Sequence, residues 1–316
     1  MTHDPQRTYL IVNADDYGYF RCVSGGILEA ARRGVVTATG VIANREGLQE
    51  QAEWLMACDA LDTGVHLNLT TGVPISAALR QKCARWSGAF PGKYAMVTAV
   101  LSGAIPSHLI ADEWRSQIER CIAVGLRPVF LNSHEHIHML PPLFGVATVL
   151  AGQYGIPHVR VTTAERARRV SAAALVRNTL MRGMQLLSAR TVARSAARAT
   201  ARFHGLDPSG KLGLDYFRRT LPSLQPGAVY ELMCHPGRLD RAEVQDPRLL
   251  AYHDWEGELA TLTSPELAEL LDQHHVSVIG YRDLAICGDR LEVPGITRSR
   301  NRSEQPTTAA SAGAKR

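Results

Sequence analysis

The stretch YLIVNADDYG, residues 9–18, carries the reading of the fold. Tyr9–Asn13 is a short apolar run with β-branched Ile11 and Val12, the length of a strand rather than of a helix. Asp15 and Asp16 follow directly, so two carboxylates stand at the strand's C-terminal end. The same pattern recurs down the chain. Val36–Ala43, Gly64–Asn68, Val129–Asn132, His158–Val161, Val229–Cys234 and Val276–Gly280 read as six more strands. Their near-continuous apolar character fits strands covered on both faces of a parallel sheet. Helical patterns lie between them: Gly26–Arg33 stopped by Gly34, Asp112–Val124 stopped by Gly125, and Pro265–His275 behind Ser264. Strands alternating with helices predict an α/β fold with a parallel sheet, and seven strands allow it to close as a (β/α) barrel.

Two stretches break the alternation. Thr70–Ile110 carries little periodicity and reads as a long loop with short helices, the kind that forms lids or substrate walls. Val161–Leu214 reads as one or two amphipathic helices rich in arginine, with Leu180, Met184 and Leu187 as an apolar stripe. From Arg160 to Arg202 there are ten arginines and one glutamate; the last 19 residues carry five basic residues and one glutamate. The overall charge of +5 therefore leaves the rest of the chain at −8, which argues against a nucleic-acid-binding core. The arginine-rich segment reads as helices packed on the barrel or in a dimer contact, or alternatively as a peripheral contact with anionic membrane. The tail after Pro294, rich in Ser, Thr, Ala and Arg, reads as disordered.

No apolar run reaches the ~18 residues of a membrane span. No charged and then apolar leader precedes Tyr9, and the six cysteines are scattered without a CxxC pair. The expectation is a cytoplasmic protein.

The chemistry-bearing residues cluster after the strands: Asp15-Asp16, His66 in GVHLNLT, His134, His136 and His138 in LNSHEHIHMLP, and His235 in ELMCHPG. In a parallel barrel all strand C-termini open onto one face, so these groups converge. Each has a bland reading as a helix cap, a core imidazole, a solvated turn or a strand corner. Four clusters at equivalent places are harder to assign to packing. If residues 134–138 are extended, all three histidines share a side; if they coil, only His134 and His138 do. Imidazole and carboxylate without thiolate fit Zn²⁺, Mg²⁺, Mn²⁺ or Co²⁺, and Cys234 reads as a small buried hydrophobe. No phosphate-cradling glycine loop and no GxSxG elbow is present. Metal-activated water is the chemistry this set supports.

LIVNADDYG, GVVTATGVIAN, GVHLNLT, LNSHEHIHMLP, ELMCHPG and VIGYRDL resemble, in that order, the motifs of the YdjC-like (ChbG/HpnK) carbohydrate deacetylases. The resemblance runs from Tyr9 to Leu284. It implies a distorted seven-stranded (β/α) barrel, a single domain over residues 1–297 with a basic helical insertion at 163–214. It implies one divalent ion, a homodimer, and hydrolysis of an N-acetyl group from an amino sugar to give acetate. Carried over by position, Asp16, His66 and His134 are the metal ligands, Asp15 the general base, and His235 an acid or oxyanion partner. His138, Asn132 and Arg160 are assigned to substrate binding or to support of the ligands. Asn132 stands where relatives often carry Asp; if that residue orients His134, metal preference changes with it. A phosphoesterase-like hydrolase and a non-enzymatic metal-containing sugar-binding regulator are the competing readings. The acceptor stays open among free oligosaccharide, lipid-linked amino sugar and secondary-metabolite glycoside.

Overall fold

A computed structural model describes residues 4–164, 178–187, 198–199 and 201–285. Nine strands form one parallel sheet: β1 (Thr8–Tyr17), β2 (Ala38–Val41), β3 (Asp62–Leu67), β4 (Phe130–Ser133), β5 (His158–Val159), β6 (Arg198–Ala199), β7 (Arg202–His204), β8 (Val229–Cys234) and β9 (Val276–Val278). The helices are α1 (Arg21–Arg33), α2 (Leu48–Met56), α3 (Ala77–Lys82), α4 (Lys93–Leu101), α5 (Ser107–Ala123), α6 (Pro141–Gln153), α7 (178–187), α8 (Leu214–Thr220), α9 (Pro247–Tyr252), α10 (Trp255–Leu262) and α11 (Pro265–Gln273).

The strand order is β6-β5-β4-β3-β2-β1-β8-β7. β6 and β7 stand at opposite ends of this row, yet only two residues separate them in sequence. The sheet therefore curls back on itself, and β6 and β7 together serve as one interrupted strand position. Counted so, the ring has the seven positions the sequence predicts, but with a different membership. β9, expected as the seventh strand, lies off the ring and pairs Thr8–Leu10 at the N-terminal end of β1. The position that completes the ring falls in the segment read from sequence as wholly helical. Arginine-studded residues with no apolar run carry no strand signal; here backbone pairing to His158–Val159 and Tyr230–Leu232 decides the conformation.

Every residue of β1 is buried, as its apolar run requires for a strand covered on both sides. α1 packs its Val23, Ile27 and Ala30 stripe inward and ends at Gly34 as predicted. α5 starts at Ser107, ahead of the expected Asp112, because Pro106 sets up the first turn and Ile110 extends the buried face. Ser264 caps α11 by accepting from the Leu267 amide at 3.2 Å. The Thr70–Ile110 stretch holds α3 and α4, and Glu113 on α5 anchors it by accepting from the amides of Ile75 (3.1 Å) and Ser76 (2.7 Å). α7 confirms helix within the arginine-rich segment, but the predicted stripe is not its buried face: Leu180 and Leu187 are exposed, Met184 is half-buried against the core, and Met181, outside the stripe, is buried. The remainder of that segment and the tail after Pro294 lie outside the described residues.

Two glycine contacts position the site. A Cβ on Gly26 of α1 would lie 2.4 Å from the Gly237 backbone, so the loop that follows β8 rests directly on α1. A Cβ on Gly40 of β2 would lie 2.8 Å from Asn132 Oδ1 and 3.1 Å from His66 Nδ1. At the opposite end of the sheet, Phe130 stacks on Tyr281 at 4.2 Å, and Arg282 pairs with Asp62. No helix among the described residues is long and apolar enough to cross a membrane.

Candidate active site

Asp15, Asp16, His66, His134 and His235 all line one cavity of about 450 Å³ at the C-terminal ends of β1, β3, β4 and β8. The convergence argued from sequence is thus present. Asp15 and Asp16 diverge because β1 loses register between Ala14 and Tyr17 and Asp16 takes a left-handed φ of 71°. An irregularity of this kind re-aims side chains at a strand end, and the strained φ of a non-glycine residue is typical of functional sites.

Asp16 Oδ1 lies 2.7 Å from His134 Nδ1 and 3.2 Å from His66 Nε2. One ligand atom from each of Asp16, His66 and His134 falls within 4.8 Å of the others, which makes them a candidate metal group. Burial would raise the Asp16 carboxyl; the two facing imidazoles outweigh it and hold the group well below the usual range. His66 Nδ1 meets Asn132 Oδ1 at 2.8 Å. An amide oxygen can only accept, so it fixes the proton on Nδ1 and leaves Nε2 with its lone pair on the Asp16 side. Asn132 therefore orients His66 rather than His134, which corrects the expectation built on this departure from the family pattern.

Asp15 is held differently. Its carboxylate takes Arg160 Nη1 at 2.6 Å and Nη2 at 2.8 Å, Asn13 Nδ2 at 2.6 Å and Asn132 Nδ2 at 3.0 Å. Burial pushes its pKa up, and the Arg160 guanidinium, with His66 behind it, pulls it below the ordinary value. Arg160 is fully buried and also donates Nε to Glu231 at 2.6 Å, so one cation neutralises two core carboxylates. Asn132 joins the two halves: its amide accepts from His66 and donates to Asp15.

The three neighbouring histidines separate. Residues His134–Met139 form a 3₁₀ turn interrupted by left-handed Glu135 (φ 53°) and His136 (φ 57°), so neither simple periodicity applies. His134 joins the triad. His136 lines the cavity 3.1 Å from Thr162 Oγ1, its pKa driven well down by burial and by Arg160. His138 is buried between Ser133 and the Arg160 carbonyl (3.0 Å), and burial lowers it to about 3. His138, Asn132 and Arg160 are thus absent from the cavity lining and sit behind the residues that form it. Cys234 is buried with its thiol 3.5 Å from the Asn13 carbonyl.

His253 is a lining residue that no sequence motif singles out. Its ring stacks on Trp255 at 4.7 Å and stands edge-on to His235 at 5.1 Å. Burial and the neighbouring His235 lower it to about 3. Nδ1 of His235 and Nδ1 of His253 are both buried without a hydrogen-bond partner.

Residues 9–273 match the family model described as YdjC-like protein. The chain belongs to the YdjC-like family. It is 28% identical to the carbohydrate deacetylase of Brevibacillus brevis, over 87% of this chain and 99% of that protein. It is 30% identical to the chitooligosaccharide deacetylase of Klebsiella pneumoniae, over 87% and 98%. Among solved structures, an Enterococcus faecalis protein named for cellobiose-phosphate cleavage superposes with a TM-score of 0.66 at 25% identity, covering 88% of this chain and 99% of that one. The YdjC-like assignment agrees with the six motifs read from sequence.

Proposed function

We propose that this YdjC-like protein is a metal-dependent hydrolase that removes the N-acetyl group from an amino sugar. The observation that carries the reading is the pair of adjacent carboxylates held for different tasks at one cavity: Asp16 among two imidazoles, Asp15 clamped by Arg160. The deacetylase names of the curated relatives supply the substrate class.

Asp16, His66 and His134 fit a divalent ion. They offer one carboxylate and two imidazoles, no Lys or Arg among the described residues pairs with Asp16, and Asn132 sets His66 in a ligating tautomer. When bound there, such an ion supplies Lewis-acid polarisation of an acyl oxygen and makes water acidic enough to attack at neutral pH. The protein's own residues do the rest. Asp15, ionised and fixed by Arg160, accepts the proton of the attacking water. His235 lines the cavity and is the imidazole placed to hold a proton for the departing sugar amine. Water adds to the acyl carbon, the C–N bond breaks, and acetate and a free amine leave.

The experiment is acetate release from N-acetylglucosamine oligosaccharides with and without chelator, beside p-nitrophenyl phosphate. Chelator-sensitive acetate release with no phosphatase activity is expected. Phosphate release without acetate would overturn the reading.

A further inference from the structure

His235 lacks the hold that an imidazole at a reacting centre usually has. A carboxylate or a backbone carbonyl on the far ring nitrogen ordinarily fixes such a ring. Nδ1 of His235 is buried without a hydrogen-bond partner among the described residues. The ring stands edge-on to His253, which is itself stacked on Trp255. Ring contacts of this kind limit tilt but carry no directional bond, so the placing of His235 falls to its main chain.

That main chain is mounted on α10. Pro236 has no N–H, so the turn His235–Arg238 offers three backbone donors. The His235 amide donates to Glu258 Oε2 at 2.5 Å, the Gly237 amide to the Trp255 carbonyl at 3.1 Å, and the Arg238 amide to the Cys22 carbonyl at 3.2 Å. Trp255 and Glu258 both belong to α10, which thus takes the two donors nearest the imidazole. A Cβ on Gly237 would lie 3.0 Å from the Trp255 ring, so the turn rests directly against that helix.

Glu258 is the side chain among these acceptors. It is 1% exposed, and no Lys or Arg among the described residues pairs with it. Burial pushes its carboxyl above the ordinary value, against the pull of His235 and of two backbone amides. The second amide is that of Leu212, which donates to Oε1 at 3.2 Å from the loop that carries the cavity residues Leu206 and Ser209. A carboxylate only accepts, so it can take both amides; a glutamine would turn an NH₂ donor toward one of them. Glu258 is absent from the cavity lining, so it meets the cavity through the backbone it holds. We infer that Glu258 is the positioning residue of His235, fixing the main chain from which the imidazole reaches the cavity. The inference rests on the role proposed for His235 in deacetylation.

The test is a double-mutant cycle in the full chain: Glu258→Gln, His235→Ala and the two together. Acetate release from N-acetylglucosamine oligosaccharides and bound divalent metal are both measured. Glu258→Gln should lower kcat by up to about 10²-fold, the cost of misplacing a reacting group by about 1 Å. KM and metal content should stay unchanged, because the lost interaction acts only in the transition state. Added to His235→Ala, it should cost nothing further, since a residue that works through His235 then has nothing to position. Additive losses, loss of metal, or near-normal turnover of Glu258→Gln would overturn the inference. Glu258→Asp keeps both oxygens but withdraws them by one methylene; it should show a smaller loss with the same non-additivity, and it carries the cycle if Glu258→Gln does not fold. The ring ¹H–¹⁵N signals of His235, assigned by their absence from His235→Ala, give a readout without substrate. If the wild type releases no acetate, the deacetylase reading falls; a shift of those signals in Glu258→Gln then keeps the inference, and unchanged signals overturn it.

Discussion

Replacing Arg160 by Met keeps most of the side chain's volume and removes the guanidinium that pairs with both Asp15 and Glu231. Arg160, Asp15 and Glu231 are all buried, and the guanidinium makes three contacts of 2.6–2.8 Å with the two carboxylates. Removing one partner of a buried pair costs about 3–5 kcal/mol, because the other charge is left without compensation. For a chain of this size that lowers Tm by roughly 5–8 °C. The pH dependence is the sharper readout. In the wild type, Asp15 has a folded pKa below its unfolded value, so its contribution is present above the unfolded pKa and lost as pH falls through the folded one. Without Arg160, burial dominates and lifts the folded pKa above the unfolded one. The contribution is then lost as pH rises. The stability deficit of Arg160→Met relative to wild type should therefore be larger at pH 8 than at pH 5. Urea denaturation at both pH values measures it. A deficit below about 1 kcal/mol, or one equal at both pH values, would refute the assignment of Arg160 as the counter-charge.

His134→Ala should abolish both turnover and divalent-metal binding by elemental analysis; a fully metal-loaded variant would remove it from the ligand set. Asp15→Asn should retain metal and lose activity by about 10²–10⁴-fold, as loss of a general base does; near-normal turnover would end that role. Asn132→Leu frees the His66 ring and should weaken metal affinity by about 10–100-fold, read by competition with a chelating dye. His138, lowered to about 3 by burial, stays neutral in the folded state while the unfolded chain takes up a proton near 6.5, so stability should fall as pH drops below 6.5. His138→Gln should reduce that slope by up to about 1.4 kcal/mol per pH unit, and denaturation curves at pH 7 and pH 5 with parallel losses in both proteins would contradict it.

Strand positions and the converging site residues were legible because apolar runs mark buried strands, and parallel strands carry their C-terminal residues to one face. Asp15, Asp16, His66, His134 and His235 could be gathered on that ground. What was not legible depends on contacts without local signature. β6 and β7 complete the ring through backbone pairing that their sequence does not announce. The left-handed Glu135 and His136 scatter three histidines that an extended segment would have put on one side. Asn132 serves His66 because Gly40 opens space beside it, a relation between three strands that no single segment encodes. His253 reaches the cavity from a loop between two helices with no pattern around it.

The off-ring strand β9 has a practical consequence. It pairs with the beginning of β1, and Arg282 pairs with Asp62 at the beginning of β3, so the described chain ends on the face away from the cavity. Anything joined to the protein after residue 285 starts from that far side. A biotin tether or a fused carrier placed there would anchor the barrel to a bead with its mouth turned outward. Immobilised protein could then be presented with polymeric or vesicle-borne sugars too large to diffuse around a support, a format that tethering through α7 or α9 would block.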